Sequence, residues 1–214
     1  MTMNIAVVSG RIAPELTLPG LNFSRAYAPS TDFRSARLGL LTGQYPQRQP
    51  VTRFASLIGT VAEDFSPADV HIIERAEITP DLLDQAHDSG AATFFVGHPT
   101  IDDHRVRMSL LWPGVTDTNL PHDTIDGVVT CNELVSTLDI APTLAAIAGY
   151  DVRPNAQLSF DGMNLTPVIR YGATGHGGLF FDDGTVITPT EVRRQANDPE
   201  WTMWHQFMNM GPLQ

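Results

Sequence analysis

Residues 128–150, VVTCNELVSTLDIAPTLAAIAGY, decide the fold. Val128 to Cys131 is a short run of strand type. Behind it, Asp139 is placed to cap a helix. Pro142 falls in the first turn, where its missing N–H costs nothing, and Gly149 lies beyond the end. A strand that hands over to a helix in this way is one unit of an α/β sheet, and the alternation recurs outward along the chain. Residues 3–9, MNIAVVS, form an apolar run closed by Gly10 and read as a central parallel strand. Residues 35–42 read as a short helix stopped at Gly43. Thr79 and Pro80 open a helix that Gly90 closes, and AATFFVG (91–97) and VRMSLLW (106–112) follow as strands. Residues 151–172 read as loop, and GLFFDDGTVIT (178–188) reads as a hairpin about Asp183-Gly184. The expected architecture is α/β, a mostly parallel central sheet flanked by helices over residues 1–172. A short C-terminal hairpin and an aromatic-rich tail occupy 173–214.

Bulk properties narrow the function. A chain of 214 residues that is 42% hydrophobic supports one full core and a small appendage. Acidic side chains number 24 against 13 basic ones, a net charge of −11, which argues against nucleic acid and anionic membrane as partners. Every basic residue is Arg, a skew that speaks to coding bias before it speaks to anion recognition. Cys131 is the single cysteine, so no intramolecular disulfide can form. MTMNIAVVSGRIAPEL lacks a basic leading region and carries only a short apolar run, so it reads as neither signal peptide nor anchor. The expected place is the cytoplasm, or an assembly made there.

Three stretches together resemble the sulfatase family of the alkaline phosphatase superfamily. FSRAYAPSTDFRSARLGLLTGQYPQR is similar to the family's signature, in which a Cys or Ser destined to become formylglycine opens a C/S-x-P-S-R motif ahead of L-L-T-G-x-Y-P. ITPDLLDQAHDSGAATFFVGHPT resembles the helix and strand that lead into a G-K-x-H motif. RVRMSLLWPGV, LVSTLDIAPTLAAIAGY and DGMNLTPVI resemble the R-V-P and D-x-x-P-T-L-x-x-x-A-G blocks of the C-terminal half. The family fold, and hydrolysis of sulfate or phosphate esters, are what the resemblance implies.

The same alignment removes the chemistry. Counting back from Gly43 puts Phe33 at the formylglycine position, and a phenyl ring has no nucleophilic atom. Arg37 matches the motif's Arg, while Ser35 and Ala36 stand where Pro and Ser are usual. The family's first strand ends in an Asp pair that binds a divalent cation through oxygen; here it ends in Gly10-Arg11-Ile12. His98 takes the place of the anion-binding Lys and Thr100 that of the His. Arg105-Val106 follows so soon that the central stretch with the second metal segment is absent.

Remaining candidates are weak by their chemistry. Asp102, Asp103 and His104 offer metal-ligating atoms, but adjacent residues rarely all point at one ion. Thr31, Asp32 and Ser35 suit a turn, where such side chains cap backbone groups. His87, His122, His176 and His205 read as satisfied or exposed, and GATGHGG (172–178) as flexible. The tail NDPEWTMWHQFMNMGPLQ either packs back on the domain or presents Trp201, Trp204 and Phe207 to another chain.

The resulting expectation is a sulfatase-like protein without catalysis, a pseudoenzyme that needs no cofactor. Such a chain would act as a structural or interaction subunit, in a homo-oligomer or a larger protein assembly. The alternatives are an ester hydrolase with a recruited divalent cation such as calcium, and an anion-binding module built on Arg37, His98 and Arg11.

Overall fold

The structure, a computed structural model, describes residues 4–48, 70–149, 152, 159–194 and 198–209. The strands are β1 (Ile5–Arg11), β2 (Leu21–Tyr27), β3 (Val70–Glu77), β4 (Ala92–Gly97), β5 (Arg105–Leu111), β6 (Asp123–Ile125) and β7 (Val128–Ser136). They form one sheet in the order β3-β1-β4-β5-β2-β7-β6. β1 pairs in parallel with β3 and β4, and β2 with β7, while β5 runs against both its neighbours and β6 against β7. Five of the seven strands therefore point one way. β4 is buried along its whole length, with covered residues on both faces, which is why its sequence is an unbroken apolar run.

Helices α1 (Phe33–Thr42), α2 (Pro80–Ser89), α3 (Ile140–Ile147) and α4 (Thr166–Tyr171) sit against this sheet. The main core lies on one face, where Val7, Phe23, Phe94 and Met108 meet Ile140, Leu144 and Val168. On the other face, Leu82, Leu83 and Ala86 of α2 cover Val8, Ile78 and Phe95. Helix α1 begins two residues earlier than its sequence pattern indicates, because the Asp32 carboxylate caps it by accepting from the Ser35 amide at 2.8 Å. Gly43 ends it with φ 65°. α4 corrects the loop reading of 151–172: Pro167 in its first turn and Gly172 behind it are ordinary helix signals, carried by a helix of only six residues. Residues 153–158 of that stretch lie outside the described residues.

The C-terminal hairpin is present as β8 (Leu179–Phe180) and β9 (Thr185–Ile187), turning through Asp183-Gly184, and β10 (Val192–Arg194) adds a third strand. Leu179, Phe181 and Ile187 of this small sheet pack on Leu134 of β7. The tail forms helix α5 (Pro199–Asn209), whose Trp204 and Met208 pack with Tyr45 and Leu138. Among the described residues no helix is long and apolar enough to cross a membrane.

Candidate functional site

The C-terminal ends of β1, β3 and β4 and the first turn of α1 enclose a cleft. Phe33, Arg37, Glu74 and His98 border it, with Ser9 and Thr137 as its hydroxyl groups and Val7, Leu40 and Val96 among its apolar walls. The fold thus brings Phe33, Arg37 and His98 together, and leaves Arg11 off the cleft wall at the end of β1.

The chemistry of this cleft is spent internally. The Phe33 ring, 47% exposed, meets the His98 ring edge-on at 4.7 Å and 65°. His98 follows the last residue of β4, and its amide donates to the Gly10 carbonyl at 3.3 Å. Its Nε2 is buried without a hydrogen-bond partner, and burial lowers its pKa, only partly countered by the Glu74 charge. The ring is therefore neutral near pH 7. The Arg37 guanidinium donates through Nε to Glu74 of β3, and Arg11 pairs with Glu77 at 3.6 Å. Of the three groups offered for anion binding, two are matched by carboxylates and the third is uncharged. Among the described residues the cleft therefore presents no unpaired cation to a tetrahedral oxyanion.

A divalent cation fits no better. Among the described residues Glu74 is the single carboxylate on the cleft wall, and it is committed to Arg37. Calcium takes roughly six to eight oxygen ligands, and magnesium takes one or two carboxylates together with several waters in near-octahedral geometry. Asp102, Asp103 and His104 do not converge. His104 is buried and bridges the Ala28 carbonyl (3.3 Å) and Asp183 (3.4 Å), while exposed Asp103 accepts from the Arg105 amide at 2.8 Å. Among the described residues no group of three or more His, Cys, Asp or Glu is placed to hold a metal ion. Burial pushes the Cys131 thiol up to about 11, so it stays protonated and unreactive.

The polar group that sequence reasoning missed lies one strand over. Asp139 does not cap α3 directly. It is the third residue of a capping box: its Oδ2 accepts from the Ser136 amide at 2.7 Å, and Ser136 Oγ accepts from the Leu138 amide at 3.2 Å. The same carboxylate, fully buried, also accepts from the Met163 amide at 2.8 Å and from His176 Nε2 at 2.8 and 3.0 Å. Burial works against the charged form of His176, but its hydrogen bond to Asp139 and the Asp139 charge outweigh this and raise its pKa. The GATGHGG stretch is thereby anchored, with the His176 amide on the Leu134 carbonyl and the Gly175 amide on Glu133. The serine three residues before Asp139 was a readable signal; His176, 37 residues away, had none.

The tail aromatics fold on their own domain. Trp201 Nε1 donates to the Phe181 carbonyl, and Trp204 stands edge-on to Tyr45 at 5.2 Å and stacks on Phe180 at 5.9 Å. Phe207 lies under the Arg48 guanidinium, 42% exposed, and Met203 faces outward.

Comparison with known proteins bears on the fold. A stretch of 78 residues is 39% identical to arylsulfatase G of Rattus norvegicus. It spans 36% of this chain and 13% of that protein's length. Among solved structures, Ps i-CgsB in complex with k-i-k-neocarrahexaose aligns with a TM-score of 0.57 and 12% identity, over 88% of this chain and 82% of that one. The lipoteichoic acid synthase LtaP from Listeria monocytogenes aligns with a TM-score of 0.55 and 9% identity, over 99% of this chain and 93% of that one. No protein-family model matches the chain. The mixed seven-stranded sheet with its flanking helices is the sulfatase-like, alkaline-phosphatase-like fold. What the chain shares with these proteins is this fold and, over 78 residues, a sequence likeness to arylsulfatase G.

Proposed function

We propose that this chain is a non-catalytic sulfatase relative that serves as an interaction subunit of a protein assembly. The observation that carries the reading is the state of the cleft. Its attacking position is a hydrocarbon ring packed on a neutral histidine, and its arginine is paired with the one carboxylate that the described residues bring to the cleft. Ester cleavage of this lineage needs a hydroxyl nucleophile in line with the leaving group and a cation to polarise it. The groups that border the cleft supply neither. The outward side chains of α5, Met203 and Phe207, are the tail residues left for a neighbour, since Trp201 and Trp204 are engaged by their own domain.

Purified full chain incubated with 4-nitrophenyl sulfate and 4-nitrophenyl phosphate, with and without millimolar calcium, magnesium or manganese, is expected to release no nitrophenol above buffer. Metal-dependent turnover abolished by Arg37→Ala would replace this reading with the hydrolase.

A further inference from the structure

Half of one sheet face carries a different chemistry from the rest. On the side away from the main core, α2 covers β3, β1 and β4 through apolar contacts. Between the apolar patches at Leu111 and at Leu134, Asn22, Ser24, Arg105, Arg107 and Thr130 of β2, β5 and β7 border an open groove of about 210 Å³ on that same side.

Both arginines are exposed, and both are held in place by main-chain carbonyls rather than by acids. Arg105 Nη2 donates to the Ser24 carbonyl at 2.6 Å. Arg107 Nη1 donates to the Ala13 carbonyl at 2.6 Å, and its Nη2 to that of Leu16. Arg11, Arg37, Arg48 and Arg193, by contrast, each pair with a carboxylate. The acid nearest in sequence, Asp103, turns its carboxylate onto the Arg105 amide and away from the guanidinium's pairing role. Carbonyls orient a guanidinium without cancelling its charge; Arg105 spends one N–H donor in this way, whereas Arg107 spends both terminal nitrogens on Ala13, Pro14 and Leu16 and keeps the rest for a ligand. Two uncompensated, pre-positioned cations therefore stand on a chain whose net charge is −11.

We infer that this groove docks an extended acidic segment of a partner protein, with carboxylates at alternate positions. The inference rests on the interaction role proposed above. Arg105 and Arg107 lie two residues apart on one strand, so their Cα atoms are about 6.7 Å apart. Residues i and i+2 of an extended peptide have the same spacing and point the same way. An Asp/Glu-x-Asp/Glu segment laid along β5 places one carboxylate on each guanidinium, where the fork geometry of Arg favours a carboxylate. A single small oxyanion can satisfy only one fork. The negative charge elsewhere on the chain is screened beyond about 8 Å at physiological salt, so the local pair decides binding at contact.

The test uses labelled peptides and full-length protein, read by fluorescence anisotropy. A peptide with Glu at alternate positions is expected to bind at least about fivefold tighter than one of the same composition with its Glu residues in a block, and its Gln analogue is expected not to bind. Arg105→Gln is expected to weaken the alternating peptide about tenfold, the worth of one charge-assisted bond, at an unchanged melting temperature. Arg107→Gln also loosens residues 13–16, so the peptide series on the natural chain carries the decision. Equal binding of alternating and blocked peptides, displacement by equimolar citrate or sulfate, or no binding of any peptide overturns the inference. Ester turnover, in contrast, overturns the interaction reading and leaves the peptide result to stand by itself.

Discussion

Two strand-to-helix turns lie side by side in this molecule, one after β2 and one after β7, and they hold opposite chemistry. The turn after β7 is saturated with polar contacts: a carboxylate with no exposure accepts from two backbone amides and a histidine ring. The turn after β2 holds a helix cap, Asp32, with the Ser30 hydroxyl accepting from the Asp32 amide, and next to it presents a half-exposed phenyl ring. The difference teaches where a polar group is indispensable to a fold. Removing the Asp139 carboxylate strands the buried Ser136 amide and the part-buried Met163 amide and His176 ring, whereas the Phe33 side chain is half-exposed and packs on His98. On the proposed reading, the groups of an ester hydrolase can be lost from a sulfatase-like scaffold because they do not hold its elements together.

The comparison is broken or sharpened by four measurements. The largest effect is expected for Asp139→Ala, which leaves the Ser136 and Met163 amides and the His176 ring unpaired in the interior. Loss of one partner of a buried pair costs about 3–5 kcal/mol, read as a fall in the urea midpoint; a loss below 1 kcal/mol breaks the comparison.

The second is a pH dependence. His176 has a raised pKa when folded, so its contribution is complete below the ordinary histidine value and is lost as pH rises through the folded value. Stability is expected to fall as pH climbs from about 6.5 upward, and that slope is expected to flatten in Asp139→Ala. A wild-type slope of the opposite sign contradicts the buried ion pair.

Third, Phe33→Ala is expected to cost about 1 kcal/mol, the loss of a half-exposed ring and one aromatic contact. Phe33→Ser, which restores a hydroxyl at the attacking position, is expected to give no turnover because no cation site accompanies it. Smallest is Arg37→Ala. The pair with Glu74 is about two-fifths exposed on both sides, so solvent screening holds its worth to about 0–1 kcal/mol in thermal denaturation.

Much of this architecture can be read in the sequence, and the failures have physical causes. β1, β4, β5, β7, α2 and α3 carry long apolar runs or caps at their ends, and these local signals survive without knowledge of the fold. β2 goes unread because its ladder shifts register between Phe23 and Ala26, which breaks the alternation of Leu21 and Phe23. β3, VHIIERAE, pairs with β1 at the sheet edge and has no clean period. In the candidate site, Phe33, Arg37 and His98 are found by family register alone; their pairing with one another and with Glu74 depends on strands far apart in the chain. The Asp139–His176 contact is of the same kind, a bond between residues with no shared local pattern. What sequence cannot carry is the compensation of charge, since whether an arginine faces a carboxylate or a carbonyl is settled only by the fold.

The central claim, that the cleft at the first turn of α1 has no place for an ion or an oxyanion, is tested most directly by a crystal structure grown in high calcium and sulfate. The account predicts Phe33 on His98, Arg37 on Glu74, and neither ion against Ser9, Phe33 or His98. A calcium or sulfate bound there with Arg37 turned away from Glu74 would contradict it.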